Sequence, residues 1–174
     1  MPIMDLRLLP TDSRVFVDTN IFDYHFRGKS ITCTAFMNRV ALDEVTAFVN
    51  TQVLSDLLHK MMLAEAATKG YCRYGATHLK AWLAANRQMA GNLTDYQTAF
   101  ENTLALGLKV IRISKQLLVD TKSERTAFSL MTGDSLHLGN MNRHTPQIVD
   151  IATRDGDFAH IPTLNVWQPM DVIA

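Results

Sequence analysis

The sequence has little of several things, and each shortage narrows the reading. It holds two cysteines, Cys33 and Cys72, far apart and with no CxxC or Cys/His cluster around them. That excludes a disulfide framework and a thiolate metal site, and it fits reduced thiols in a cytoplasmic protein. No apolar run approaches the roughly 18 residues that span a bilayer, and no signal-like N-terminus is present, so no membrane association is expected. Repeats, low-complexity tracts and linkers are missing too. The 174 residues are therefore expected to form a single domain, 1–174, burying roughly 70% of its unfolded surface without help from a metal or disulfide. Charge of one sign is also lacking: 17 Lys and Arg balance 17 Asp and Glu. By itself that argues against the broad basic surface of a simple nucleic-acid binder. Glutamate is the scarce acid, 4 against 13 aspartates, although helix surfaces favour Glu. The surplus of Asp points to turns, caps or liganding positions.

What is present is an alternation of short and long patterns. Five stretches rich in β-branched residues read as strands: Arg14 to Val17, Val45 to Val49, Leu108 to Ile113, Ile148 to Ala152 and Leu164 to Trp167. Helical patterns lie between them. Val53, Leu54, Leu57, Leu58, Met61 and Met62 share one helix face that Gly70 would end; Leu93, Tyr96, Phe100 and Leu104 make a second stripe before Gly107. Ser114 predicts an N-cap for a helix through Phe128, with Gly133 as its C-cap. Strands separated by helices need crossovers, hence an α/β fold with a mainly parallel sheet covered on both faces.

Ligands of such sheets bind outside the carboxyl ends of the strands. Asp18 ends the first strand, Asp155 follows the fourth with Asp157 two residues on, Asp56 lies in the first turns of the helix after the second strand, and Asp134 opens a helix in "MTGDSLHLG". Any one of these could be a cap or a strand end. Convergence of all four on one rim is not what caps predict. Gathered carboxylates repel, and an all-oxygen set without His or Cys is the chemistry of Mg²⁺ or Mn²⁺ rather than Zn²⁺. Such ions position water and neutralise phosphoryl groups, which points to a phosphate ester as substrate.

Four ordered motifs, "VFVDTNIF", "TQVLSDLLHK", "GDSLHL" and "IATRDGDF", span Val15 to Phe158. Through them the chain resembles PIN-domain proteins, most closely the small toxin ribonucleases of VapBC-type toxin–antitoxin pairs. The resemblance implies a three-layer fold with a five-stranded sheet of order 3-2-1-4-5, and metal-dependent, in-line hydrolysis of RNA phosphodiesters. Asp18, Asp134 and Asp155 match metal-coordinating acids of the family, Asp56 its second acidic position and Asp157 a frequent accessory acid. Thr19 and Asn20 match the polar pair after the first acid, and Thr153 a small hydroxyl residue near the site. A small antitoxin and a homodimer are implied as partners. The family usually has Glu where this chain has Asp56, which is shorter by one methylene, about 1.5 Å; Glu65, about two turns further on, is a weaker substitute.

With five of the 17 acids at the site, 12 remain against 17 cations, so the rest of the surface is net positive and polyanion binding is no longer disfavoured. Arg27, Lys29, Arg143 and Arg154, each close to a motif, are candidates for phosphate contact. Tyr71, Arg73 and Tyr74 interleave aromatic and basic character, but a packed turn explains them better than a stacking platform. His137, three residues after Asp134, reads as a hydrogen-bonded packing histidine rather than a general base, and the nine methionines as core filler. Two other functions compete: a PIN-like binding module without turnover, and a phosphatase forming an aspartyl-phosphate at Asp18, which lacks the second Asp expected after it.

Overall fold

A computed structural model describes residues 3–71 and 79–173. The chain forms two compact units, Met1–Leu54 with Leu106–Ala174, and Ser55–Ala105. In chain order the elements are β1 (Met4–Asp5), β2 (Arg14–Val17), α1 (Thr19–Phe26), α2 (Ile31–Ala41), β3 (Thr46–Asn50), α3 (Thr51–Thr68), α4 (Leu79–Ala85), α5 (Arg87–Gly91) and α6 (Asp95–Leu104). They continue with β4 (Lys109–Ile111), α7 (Lys115–Asp120), α8 (Lys122–Phe128), α9 (Thr132–Arg143), β5 (Asp150–Ala152) and β6 (Asn165–Gln168).

The first unit is an all-parallel sheet in the order β1-β6-β5-β2-β3-β4. Without β1, the five strands numbered along the chain lie 3-2-1-4-5, the order the family resemblance implies. The sixth strand is an addition to that expectation. Its two residues carry no β pattern of their own; they are held by the open edge of β6, Met4 opposite Trp167 and Asp5 opposite Gln168.

β2 sits in the middle of the sheet. Successive strand residues face opposite sides, and Val15, Phe16 and Val17 are all 0% exposed, so helices cover both faces, as a parallel sheet requires. Ile21 and Phe22 of α1, Phe36, Met37 and Val40 of α2, and Leu136, Leu138 and Met141 of α9 are buried as well. Each fully buried side chain of this kind stabilises by roughly 1.5–3 kcal/mol. Asp171, beyond β6, is fastened to the start of α2: it accepts from Ser30 Oγ at 2.6 Å and from the Thr32 N–H at 3.0 Å. Among the described residues no helix is long and apolar enough to cross a membrane.

The helix expected from Ser114 to Phe128 is two helices. Ser114 does cap the first, its Oγ accepting from the Leu117 N–H at 3.1 Å. The break comes at Thr121, which is fully buried and whose hydroxyl bonds back to the Leu117 carbonyl at 2.9 Å. Ser129, at φ 55°, takes the left-handed position that ends α8, so Gly133 is not the C-cap; it lies in the first turn of α9. Residues 135–141 of α9 are buried without interruption, which leaves the helix no solvent face there. Its closest approach is at Gly139, where a Cβ would stand 2.4 Å from Thr121 Cγ2 and 3.2 Å from Leu117 Cδ1.

The second unit is organised by Glu65. Its buried carboxylate accepts from the N–H groups of Thr94 at 3.0 Å and Tyr96 at 2.8 Å, capping α6, and pairs with Lys69. Burial alone would raise its pKa, but Lys69 and the backbone donors hold it below the ordinary value. Around it Ala66, Leu83 and Leu93 form a small core, with Tyr71 packed on Trp82 at 5.6 Å between ring centroids. Cys72, Arg73 and Tyr74 lie outside the described residues.

Gly139→Ala is expected to lower the unfolding free energy by about 1–3 kcal/mol through overpacking. Gly133→Ala, whose Cβ meets nothing within 4 Å, should be neutral or stabilising by up to about 1 kcal/mol from helix propensity. Urea unfolding of the two variants against the parent measures the difference.

Candidate metal centre

The site begins where β2 stops. Asp18 has extended backbone, φ −81° and ψ 155°, and caps α1 with its own carboxylate: Oδ1 accepts from the Thr19 N–H at 2.6 Å. Its backbone N–H still belongs to the sheet, donating to the Ala152 carbonyl at 3.0 Å. The other oxygen, Oδ2, accepts from Asn20 Nδ2 at 2.5 Å and from the Thr153 hydroxyl at 2.6 Å. Thr153 is 0% exposed, and its oxygen in turn accepts from Asn20 Nδ2 at 3.2 Å and from the Asp155 N–H at 2.9 Å. Asn20 Oδ1 closes the ring by accepting from the Arg154 N–H at 3.2 Å. The ends of two adjacent strands, β2 and β5, are thus cross-tied by side chains from "DTN" and "TRD".

Asp155 is oriented by the turn that follows it. It caps the short 3-10 helix Gly156–Phe158, Oδ1 accepting from the Asp157 N–H at 2.9 Å, and the buried Phe158 pins that turn to the core. Asp134 arrives from another direction, in the first turn of α9. Oxygens of Asp134, Asp155 and Asp157 all lie within 4.8 Å of one another. Asp18 is not one of those three, but its charge reaches Asp134. Burial first, and then the charges of Asp155, Asp18 and Asp157 in that order, push the Asp134 carboxyl up to about 6. Uncompensated negative charge has therefore been gathered at one end of a rigid sheet. A set of carboxylate oxygens with no nitrogen or sulfur ligand fits a hard divalent cation.

The other predicted residues are distributed differently. Thr19 and Thr153 are buried and Asn20 is half-buried, all within the network around Asp18. Asp56 is half-buried on α3 and belongs to the second unit. Glu65 is committed to the cap of α6 and so does not serve as a substitute for it. Arg154 and Arg27 are exposed, and Arg27 pairs with Asp23 at 3.3 Å. The Lys29 carbonyl receives the Ile173 N–H at 2.9 Å. Arg143 is tied to Glu124 Oε1 at 2.7 Å and to the Gly139 carbonyl at 3.2 Å, a brace between α8 and α9.

His137 is 4% exposed and hydrogen-bonded to Asn50 at 3.0 Å, which suits a packing histidine. Asn50 itself was not singled out by sequence reasoning. The available signal was Asn three residues before the helical stripe that starts at Val53, the position of an N-cap.

The raised Asp134 carboxyl has a sign that can be checked. Between its ordinary value of 3.8 and about 6, the folded chain binds more protons than the unfolded one. Metal-free stability therefore falls as pH rises through that window. Asp134→Asn removes the penalty: in EDTA its Tm should exceed that of the parent at pH 7.5, with the gain shrinking toward pH 4. Thermal unfolding across that range tests it.

No family model matches the chain, and no curated protein matches it either. Solved structures do. A chain of VapBC2 from Rickettsia felis bound to a DNA fragment from their promoter is 14% identical, with a TM-score of 0.56 over 89% of this chain and 98% of that one. A chain of a toxin–antitoxin complex from Klebsiella pneumoniae is 16% identical, with a TM-score of 0.53 over 91% and 99% respectively. At such identities the likeness is one of fold. The parallel order β6-β5-β2-β3-β4, helices on both faces and acids at the carboxyl ends of β2 and β5 make this the PIN-like α/β fold.

Proposed function

We propose that the chain is a Mg²⁺- or Mn²⁺-dependent endoribonuclease that acts as the toxin of a toxin–antitoxin pair. The observation that carries this reading is the convergence of Asp134, Asp155 and Asp157 within 4.8 Å, with Asp18 adding its charge. The likeness of fold to chains of two toxin–antitoxin complexes supports the biological role. The two compact units are read as parts of one functional domain, since the second is a single excursion of the chain between two segments of the first.

In this reading Asp134, Asp155 and Asp157 hold the cation, and Asp18 joins them through Oδ1, which has accepted only one hydrogen bond and retains a lone pair. When bound, the ion supplies charge neutralisation and water activation at the phosphodiester. The chain's own residues supply placement. Asn20 and Thr153 hold the Asp18 carboxylate in one orientation; Thr19 and Asp157 donate the backbone N–H groups that aim Asp18 and Asp155. Asp56, at the family's second acidic position, is proposed to contribute to activity. Arg154, Arg27 and Lys29 are proposed phosphate contacts, and Arg143, braced on Glu124, a weaker one. RNA is the substrate, and a small antitoxin and a second copy of the chain are the protein partners, in a cytoplasmic setting.

The arrangement speaks against a phosphatase that uses Asp18 as nucleophile. Oδ2 of that residue already accepts two hydrogen bonds, and the residues after Asp18 lack the second Asp expected of an aspartyl-phosphate enzyme. The purified chain should cut RNA with Mn²⁺ or Mg²⁺ and stop in EDTA. Asp155→Asn should lower the rate by at least about a hundredfold, the upper end of the loss seen when a mere supporting residue is removed. Cleavage that persists in EDTA or in Asp155→Asn would sink the proposal, and Mn²⁺ binding without any cleavage would favour a non-catalytic binding module instead.

A further inference from the structure

Behind the acidic rim lies a polar pair that no cation-binding role requires. Asn50, the last residue of β3, is 0% exposed, and His137 of α9 is 4% exposed. The Val53 N–H can only donate, and it lies 3.0 Å from Asn50 Oδ1, so that oxygen is the acceptor and Asn50 caps α3. The orientation of the amide is thereby fixed. Its Nδ2, a donor, faces His137 Nδ1 at 3.0 Å. Nδ1 must accept, which places the imidazole proton on Nε2 and makes the ring neutral. The other side of the ring rests on Phe16, with centroids 5.3 Å apart. Phe16 is two residues before Asp18 on β2, and His137 is one turn after Asp134 on α9, on the same helix face.

We propose that Asn50 and His137 form a buried clamp that sets the rotation and height of α9 over β2 and β3, and so positions the Asp134 carboxylate for cation binding. An apolar pair of similar volume would fill the same space, but it would leave the helix free to adjust its rotation. A directional bond between two fixed groups does not. Both are positioning residues; neither touches the cation. The inference rests on the metal-site reading above.

The test uses the full chain and Mn²⁺ alone as probe. In metal-free protein at pH 7.5, long-range nitrogen–proton NMR should show His137 as the neutral Nε2–H tautomer. In Asn50→Asp, which keeps the cap on Val53 but presents an acceptor to Nδ1, the ring should become imidazolium. Mn²⁺ titration followed by electron paramagnetic resonance gives the second readout. His137→Leu, folded by circular dichroism, should bind Mn²⁺ about tenfold or more weakly. His137→Asn, whose side-chain oxygen can stand in for Nδ1, should return affinity toward the parent value. If His137→Leu does not fold, His137→Phe, which keeps a ring on Phe16, takes its place. A proton on Nδ1 in the parent overturns the clamp, as does parent-like Mn²⁺ affinity in the folded Leu or Phe variant. A parent chain that binds no Mn²⁺ overturns the metal reading and the clamp with it.

Discussion

The hydroxyl of Thr153 donates to Asp18 Oδ2 while accepting from the amide of Asn20 and the N–H of Asp155. One oxygen thus ties together the ends of two neighbouring strands, and the geometry of the rim follows from it. A parallel sheet directs all its carboxyl ends one way, so acids placed after β2 and β5 are obliged to meet. Carboxylates brought this close repel one another. The network of small polar side chains is what lets the sheet hold them: each donor aimed at Asp18 or Asp155 offsets part of the cost of removing that charge from water. Asp134 has no such set of donors among the hydrogen bonds described above, and its carboxyl is the one driven upward.

The fold supplies rigidity from below. Three consecutive residues of β2 are wholly buried on both faces of the sheet, so Asp18 is attached to a fully enclosed strand. α9 is enclosed along residues 135–141 and approaches Thr121 so closely at Gly139 that a Cβ there would force a shift. Its first turn, with Asp134, is the end of a helix buried along the following two turns. Asp18 and Asp134 therefore sit at the ends of packed elements, and Asp155 and Asp157 on a short turn anchored by the buried Phe158.

Much of this was legible in the sequence, for reasons that can be named. The central strands β2 and β3 show as short apolar, β-branched runs because a strand buried on both faces cannot alternate with polar residues. The acids show because Asp at a strand end stands out against so few glutamates. What could not be read depends on distant partners. β1 is two residues that become a strand only beside β6. The Ser114–Phe128 pattern is continuous in the sequence, and its break is set by Thr121 packing under Gly139. Gly133 looked like a C-cap because glycine favours that position, yet Ser129 takes the left-handed turn instead. Asn50 and His137 are 87 residues apart, and neither carries a local sign of the other.

The strand order has a consequence for how the protein comes into being. β5 is inserted between β2 and β6, although paired positions such as Val17 and Ala152, which sit side by side, are 135 residues apart in the chain. During synthesis β2 emerges early and waits with one edge open until β5 has been made. Asp18 lacks the Thr153 hydroxyl for all of that time, and Asp155 and Asp157 do not yet exist. Asp18 and Asp134 are therefore made first, and the rim is completed only when Thr153, Asp155 and Asp157 follow β5. A protein built this way keeps its charged centre incomplete until the segment from Thr153 to Asp157 is available to join Asp18.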